Sequence, residues 1–369
     1  MDAGDPNVNT EPRALPKKTL LAFTPPEFEA RVVELGGKPF HARVVRENVL
    51  VKSLFAYDAM TSLPKSLRER LADEIPLLAG REVTRSVARD QTTKLLIEFQ
   101  RSSDRDASVE TVHMPSLYSN VEPGDAEPGA TLCVSTQIGC PVGCPFCASG
   151  QLGLMRNLAS HEILEQYVRG AAIGKLGRSV VMGMGEPLLN YANLARALDV
   201  VHDEMGLGSR KITVSTVGFP ERLRKLAPLK PRFQLAISLH SAIQEQRDRL
   251  VPAMKGVPIA DIVAAGDDWF EKTGREVTYE YVVLGGENDT PAHARALGEL
   301  LRGRRCTVNL IPFNAVEESP FRRPDSVGVD LFRGALENAR VIATVRWSRG
   351  VESDAACGQL RIRKVTSST

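Results

Sequence analysis

Long apolar runs are missing from these 369 residues. No stretch approaches the roughly 18 consecutive apolar residues of a membrane-spanning helix, so no membrane partner is expected. The opening segment MDAGDPNVNTEPRALPKK lacks the basic start and apolar stretch of a signal peptide. Residues 1–18 therefore read as a tail, and a cytoplasmic location is expected. Charge of one sign is scarce too: 47 Lys and Arg stand against 45 Asp and Glu, a net +2. That balance neither demands nor excludes a nucleic acid; where the basic residues cluster decides. With 43% hydrophobic and 25% charged residues, the composition is ordinary for a soluble domain. A core of this size needs no disulfide staples.

What is present is arranged in two textures. From 19 to about 90 the chain reads as helical. TPPEFEARVVEL opens with a Thr cap and Pro in the first turn. DAMTSLPKSLRERLADEI puts Leu63, Leu67 and Leu71 on one face. Basic residues recur here (Arg43, Arg46, Lys52, Arg81, Arg85, Arg89). They suit either a solvated face or a module that touches a polyanion. KLLIEF and SVETVHM read as a hairpin within 94–115, and 116–130 as loop. From 131 to 350 apolar strand-like runs alternate with helical patterns, in about six units. This predicts an α/β fold with a parallel sheet. An eight-unit barrel takes roughly 250 residues, so a six-unit partial barrel fits better. The expected division is 1–18 tail, 19–93 helical N-terminal accessory domain, 94–130 hairpin and linker, 131–350 barrel, and 351–369 C-terminal segment.

Three of the six cysteines fall together in GCPVGCPFC: Cys140, Cys144 and Cys147. In a long chain without a signal peptide, clustered cysteines more often hold metal than form disulfides. The C-x3-C-x2-C loop follows a strand and precedes a helix. Three thiolates occupy three corners of a [4Fe–4S] cube that normally takes four, leaving one iron open to a ligand. Tetrahedral zinc needs a fourth ligand, yet no second CxxC exists and the six histidines are scattered. The spacing, with Phe146 before the last cysteine, resembles the radical S-adenosylmethionine superfamily. There the amino and carboxylate groups of the cofactor chelate the open iron. Met182-Gly183-Met184-Gly185-Glu186-Pro187 ends the next strand, where barrel enzymes gather their chemistry. Ser215, the run Ser238-Leu239-His240 and Asn314 also lie at strand ends. Taken singly, each suits a cap or a solvated polar residue as well as a ligand. Cys306 reads as a strand residue near the core.

Near the C-terminus, DAACGQL carries Cys357. By itself it suits a buried apolar cysteine. Yet VETV (109–112), CVSTQIGC (133–140), MGMGEPLLN (182–190), SLH (238–240), NLIPFN (309–314) and DAACGQL (354–360) occur in order. Together they resemble the RlmN family of RNA adenine methyltransferases, with its relative Cfr, over about residues 20–364. The resemblance implies a radical S-adenosylmethionine partial (β/α)6 barrel with a small helical accessory domain that helps grip RNA. It implies one [4Fe–4S] cluster and two S-adenosylmethionines per turnover, one as methyl donor and one as radical source. The implied activity is methylation of adenosine C2 in the peptidyl-transferase region of 23S rRNA and beside the anticodon of tRNA.

By the same resemblance Cys357 carries the methyl group. Cys133 then resolves a protein–RNA adduct through a transient disulfide with Cys357, and Glu110 takes the C2 proton. Gly185, Glu186, Ser215, Ser238, Leu239, His240 and Asn314 correspond to cofactor-binding positions. A reducing donor such as flavodoxin or ferredoxin and a monomeric state are expected. Adenine C2 is electron-poor, so a carbon radical suits it better than direct methyl transfer. Parking the methyl on a protein sulfur makes the carbon–carbon step effectively intramolecular. Basic residues expected to meet phosphate are Arg304, Arg305, Arg322, Arg323, Arg346, Arg349, Arg361, Arg363 and Lys364. Rival readings are Cfr-like methylation at C8, a different radical enzyme such as a glycyl-radical activase, and a zinc-bearing RNA-binding module.

Overall fold

The computed structural model describes residues 17–99, 108–116, 128–314, 319–347 and 358–360. Three helices open the chain: α1 (Pro25–Glu34), α2 (Pro39–Leu50) and α3 (Lys65–Glu74). The expected cap of α1 is present. The Thr24 amide donates to Glu27 Oε2 at 2.8 Å, and the Glu27 amide donates to Thr24 Oγ1 at 3.4 Å, satisfying two otherwise orphaned donors. Leu63, Leu67 and Leu71 are all buried, each contributing roughly 1.5–3 kcal/mol of apolar transfer.

The helical reading to residue 90 needs one correction. The helices end at Glu74, and Arg81–Val87 is a strand, β1. It is the edge of the sheet and mostly exposed. It therefore shows no buried alternation for the sequence to display, and its ladder to a neighbour defines it. That neighbour, β2 (Thr93–Glu98), pairs antiparallel with β1 and with β3 (Ser108–Met114). The expected hairpin is thus two strands of a three-stranded antiparallel edge. β4 (Ala130–Cys133) joins antiparallel to β3 and begins the parallel part.

A small separate sheet follows, β5 (Gln137–Gly139) with β6 (Leu154–Asn157), enclosing the short helix α4 (Ala148–Gln151). The alternation then proceeds as expected. It runs α5 (Ser160–Ile173), β7 (Leu176–Val181), α6 (Tyr191–Asp203), β8 (Ile212–Thr216), α7 (Pro220–Leu226) and β9 (Gln234–Ser238). It continues through α8 (Gln244–Leu250), α9 (Ile259–Thr273), β10 (Val277–Val283), α10 (Pro291–Leu301), β11 (Cys306–Pro312), α11 (Ser326–Asn338) and β12 (Ile342–Val345). The main sheet has the order β1-β2-β3-β4-β7-β8-β9-β10-β11-β12, parallel from β4 onward. Six βα units with a final strand make the expected partial barrel.

The layers are held by buried apolar side chains, among them Trp269 of α9, stacked on Phe233 at 5.7 Å. Cys306 is buried at the start of β11, as expected. The N-terminal helices are tied to the barrel by charge as well. Arg46 of α2 donates to both carboxylate oxygens of Glu204 at 2.6 Å. Glu165 of α5, fully buried, accepts from the amides of Ala79 and Gly80. No helix among the described residues is long and apolar enough to cross a membrane.

Candidate active site

The cysteine loop is shaped by glycine. Gly139 takes φ +74, and a Cβ there would lie 1.8 Å from the Gly153 carbonyl oxygen. Only glycine lets the strands of the small sheet approach so closely. The Cys140 amide donates to that same carbonyl at 2.9 Å, and the Cys147 amide to the Cys144 carbonyl at 3.1 Å. Phe146 packs edge-on against the His240 ring, centroids 5.0 Å apart, so the aromatic of the motif braces the loop against the end of β9.

The three thiols line one cavity of about 140 Å³ at the C-terminal ends of the parallel strands. Gly185, Glu186, Ser215, Ser238, His240 and Asn314 line it too. Nine of the ten residues expected at the cluster and cofactor are thus brought together. Leu239 is the exception: it is fully buried, and its amide donates to the Glu280 carbonyl at 2.9 Å.

Burial pushes the Cys140 thiol up to about 12 and raises Cys144 and Cys147 as well. A coordinating cation reverses this preference by taking the proton's place. Among the described residues no three His, Cys, Asp or Glu side chains converge on a point where a single ion would sit. Three thiols line one shared cavity, and a [4Fe–4S] cube takes one thiolate per iron. The donor set therefore fits a [4Fe–4S] cluster.

Gly185 takes φ +104, with Gln137 Cβ 2.6 Å from where its own Cβ would be. The next residue, Glu186, is almost wholly buried. Its Oε1 accepts from the Leu188 amide at 2.9 Å and its Oε2 from the Val217 amide at 3.0 Å. Burial raises its proton affinity, and those amides with Thr216 oppose the rise. Gln137 Oε1 in turn accepts from the Glu186 amide at 2.8 Å. The carboxylate is fixed between the ends of β7 and β8, ready for a cationic ligand group. His240 sits at φ +60, held by Asn288 Nδ2, which donates to its carbonyl at 2.9 Å. Its Nδ1 accepts from the Val282 amide at 3.2 Å. Burial, aided by the Arg247 charge, depresses its pKa to about 3, so the ring is neutral.

A polar row crosses the strands. Ser215 Oγ and Ser238 Oγ are 3.1 Å apart. Ser238 is in register with Glu280, Glu280 with Asn309, and Asn309 with Thr344. Register partners point to one face of a sheet. Asn309 Nδ2 donates to Glu280 Oε2 at 2.8 Å, and Thr344 Oγ1 to Asn309 Oδ1 at 3.3 Å. Sequence reasoning passed over Glu280. The available signal was a lone acid inside the apolar strand VTYEYVV.

The other expected site residues lie beside the cavity. Val112 is in register with Cys133, and Glu110 is two residues from Val112, so Glu110 and Cys133 share a face of the sheet. Neither lines the cavity. Glu110 is buried, with Lys94 Nζ 2.9 Å from its Oε1. Cys357 lies outside the described residues, as do Arg349, Arg361, Arg363 and Lys364. Its neighbour Gly358 lines the cavity. The Gly358 carbonyl accepts from the Ala148 amide at 2.8 Å, and the Leu360 carbonyl from Ser149 Oγ at 2.7 Å. Residues 358–360 are therefore anchored on the helix that follows the cysteine loop. No disulfide occurs among the described cysteines.

The basic residues divide by end of the barrel. Arg304 and Arg305 precede β11, at the end away from the cavity, and pair with Asp267 and Glu276. Arg322, Arg323 and Arg346 follow strands and stand on the cavity side. Arg323 lies over Trp347, 5.7 Å from the ring centroid. Arg346 Nη1 donates to Met182 Sδ at 3.4 Å, reaching from β12 to the end of β7.

Comparison with known proteins agrees with this geometry. Residues 134–296 match the Radical SAM superfamily. A probable dual-specificity RNA methyltransferase RlmN of Parasynechococcus marenigrum is 39% identical over 94% of this chain and 99% of its own length. The protein of the same description from Synechococcus elongatus is 39% identical over 97% of each. The crystal structure of a radical SAM methyltransferase from Sphaerobacter thermophilus superposes with a TM-score of 0.84 at 39% identity, covering 93% of this chain and 99% of that one. At 39% identity over nearly the whole length of both chains, the chain belongs to the RlmN family of radical S-adenosylmethionine methyltransferases.

Proposed function

We propose that the protein methylates C2 of adenosine in 23S rRNA and in tRNA. The observation that carries this reading is the meeting, at one cavity, of the three-thiol loop and the segment that follows Cys357. A methyl group on a sulfur there stands beside the place where a radical is made. The bound cluster with S-adenosylmethionine supplies a 5′-deoxyadenosyl radical, and a further S-adenosylmethionine supplies the methyl carbon.

The chain's own residues have these roles. Cys140, Cys144 and Cys147 hold three irons. Glu186 accepts a hydrogen bond from the cofactor's amino group, its carboxylate being already fixed by two amides. Gly185 lets the backbone come close, and Ser215, Ser238, His240 and Asn314 complete the walls, with neutral His240 buttressed by Phe146. Cys357 carries the methyl group. Glu110 accepts the proton from adenine C2, and Cys133, on the same face, forms the disulfide with Cys357 that frees the product. The target base is turned out of its stack to reach the strand ends. Arg322, Arg323 and Arg346, with the N-terminal helices α1–α3, face the RNA. A low-potential donor such as flavodoxin or ferredoxin would supply the electron that the cofactor chemistry requires.

The reading is tested by anaerobic reconstitution with iron, sulfide, labelled methyl donor and total RNA, followed by nucleoside mass spectrometry. Labelled 2-methyladenosine is expected. Labelled 8-methyladenosine would assign the Cfr-like reaction instead, and cofactor cleavage without methylated RNA would reject both.

A further inference from the structure

One carboxylate in the cavity wall has no part in the roles above. Glu280 lies in the interior of β10, 4% exposed, and lines the same cavity as the three cysteines. Its Oε2 accepts from Asn309 Nδ2 at 2.8 Å. Asn309 is itself held through Oδ1 by Thr344, so the carboxylate is braced from two further strands. Its main-chain carbonyl receives the Leu239 amide, which locks it to the end of β9 beside Ser238 and His240. We infer that Glu280 is a cofactor-binding residue whose carboxylate accepts a hydrogen bond from a donor on the adenosyl part of S-adenosylmethionine. The inference rests on the cavity being the cofactor site.

Three features favour this role over a structural one. First, Asn309 reaches only Oε2, whereas a carboxylate can accept at both oxygens. Second, among the described residues the side chain is no member of a close ion pair. Arg346, the cation whose field it feels, donates to Met182 Sδ instead. A structural buried acid is ordinarily paired. Third, burial pushes its pKa up to about 7. A fold that keeps an acid so far from its preferred environment pays in stability, and such groups concentrate where ligands bind. Adenosyl groups offer the complementary donors, two ribose hydroxyls and the 6-amino group. A buried carboxylate meeting a ribose hydroxyl is a recurrent solution in nucleotide sites.

The test uses the iron-loaded protein under anaerobic conditions. Wild type, Glu280→Gln, Glu280→Asp and Glu186→Gln are titrated calorimetrically with S-adenosylmethionine and with its 2′-deoxy, 3′-deoxy and 6-desamino analogues. Glu280→Gln keeps the shape and removes the buried charge, so it should fold. Its cluster absorbance and thermal unfolding verify this before titration. We expect binding to weaken about tenfold or more in Glu280→Gln. One analogue should bind wild type weakly yet lose nothing further in that variant, naming the donor. Glu280→Asp, which retains the acceptor at shorter reach, should fall between. The inference is overturned if Glu280→Gln binds S-adenosylmethionine within twofold of wild type while Glu186→Gln is weakened. It is also overturned if every analogue loses the same factor in both backgrounds. Normal binding by both Glu186→Gln and Glu280→Gln would instead reject the cavity as the cofactor site.

Discussion

Lys94 Nζ lies 2.9 Å from Glu110 Oε1, diagonally across β2 and β3. Both side chains are largely withdrawn from solvent, at 13% and 6% exposure, on the face that also carries Cys133. This places a fixed cation beside the acid proposed to receive the C2 proton. A buried pair is most costly when one partner alone is removed, because the other charge stays uncompensated.

Lys94→Met should therefore lower RNA methylation at least tenfold, roughly 1.4 kcal/mol in the barrier. Glu110→Gln should lower it further. Both should still cleave S-adenosylmethionine, because neither residue lines the cavity. Parallel assays of 5′-deoxyadenosine and methylated RNA separate the two effects; equal loss of both products would place the pair in the radical step.

Removing the resolving thiol should trap the reaction. Cys133→Ala is expected to accumulate a protein–RNA adduct, seen as a slow band that nuclease removes. Cys357→Ala should form no adduct and methylate no RNA while retaining cofactor cleavage. A Cys133→Ala preparation that turned over freely without adduct would remove Cys133 from the mechanism.

Two glycines of the site separate backbone strain from steric conflict. At Gly185 an added Cβ meets Gln137 Cβ at 2.6 Å and the Gln137 amide nitrogen at 2.8 Å. Gly143, at φ +74, has no neighbouring atom within 4 Å. Gly143→Ala should cost about 1–2 kcal/mol, the left-handed strain alone. Gly185→Ala should cost clearly more and displace Gln137, weakening cofactor binding. Denaturant unfolding of the two variants gives the comparison, and equal costs would show that the strand end relaxes freely.

Glu280 predicts a pH effect on stability. Its folded pKa of about 7 exceeds the ordinary 4.5, so the folded state holds the proton more tightly than the unfolded chain. The associated stability is complete below pH 4.5 and is lost as pH rises through 7. Glu280→Gln removes this dependence. The variant should match wild type near pH 4.5 and exceed it near pH 8 by on the order of 3 kcal/mol. Thermal unfolding at the two pH values is the measurement; a constant difference would mean that Glu280 is ionised throughout. His240 acts in the other direction. Its pKa of about 3 lies below that of a free histidine, so its stability contribution is lost as pH falls from about 6.5 toward 3.

The sequence by itself determined the elements whose cause is local. Thr24 and Glu27 cap α1 because the partners are three residues apart. Leu67 and Leu71 share a face of α3 because the helix has its fixed period, while Leu63 is buried from the turn just before it. The alternation from β4 to β12 was legible because strands buried on both faces are written in continuous apolar residues. Cys140, Cys144 and Cys147 were legible through spacing alone, since a cluster demands thiols a few residues apart.

The tertiary structure decided what depends on pairing across the sheet. The strand at 81–87 carries no buried alternation and exists through its ladder to β2. Glu280 is a candidate ligand residue only because register sets it level with Ser238 and Asn309, 42 residues before it and 29 after. Leu239 does not line the cavity: it is fully buried and its amide donates to the Glu280 carbonyl, a partner 41 residues on in the next strand. Arg304 and Arg305, alike in sequence to Arg322 and Arg323, fall at the opposite end of the barrel. Strand direction, which no local pattern encodes, is the physical reason.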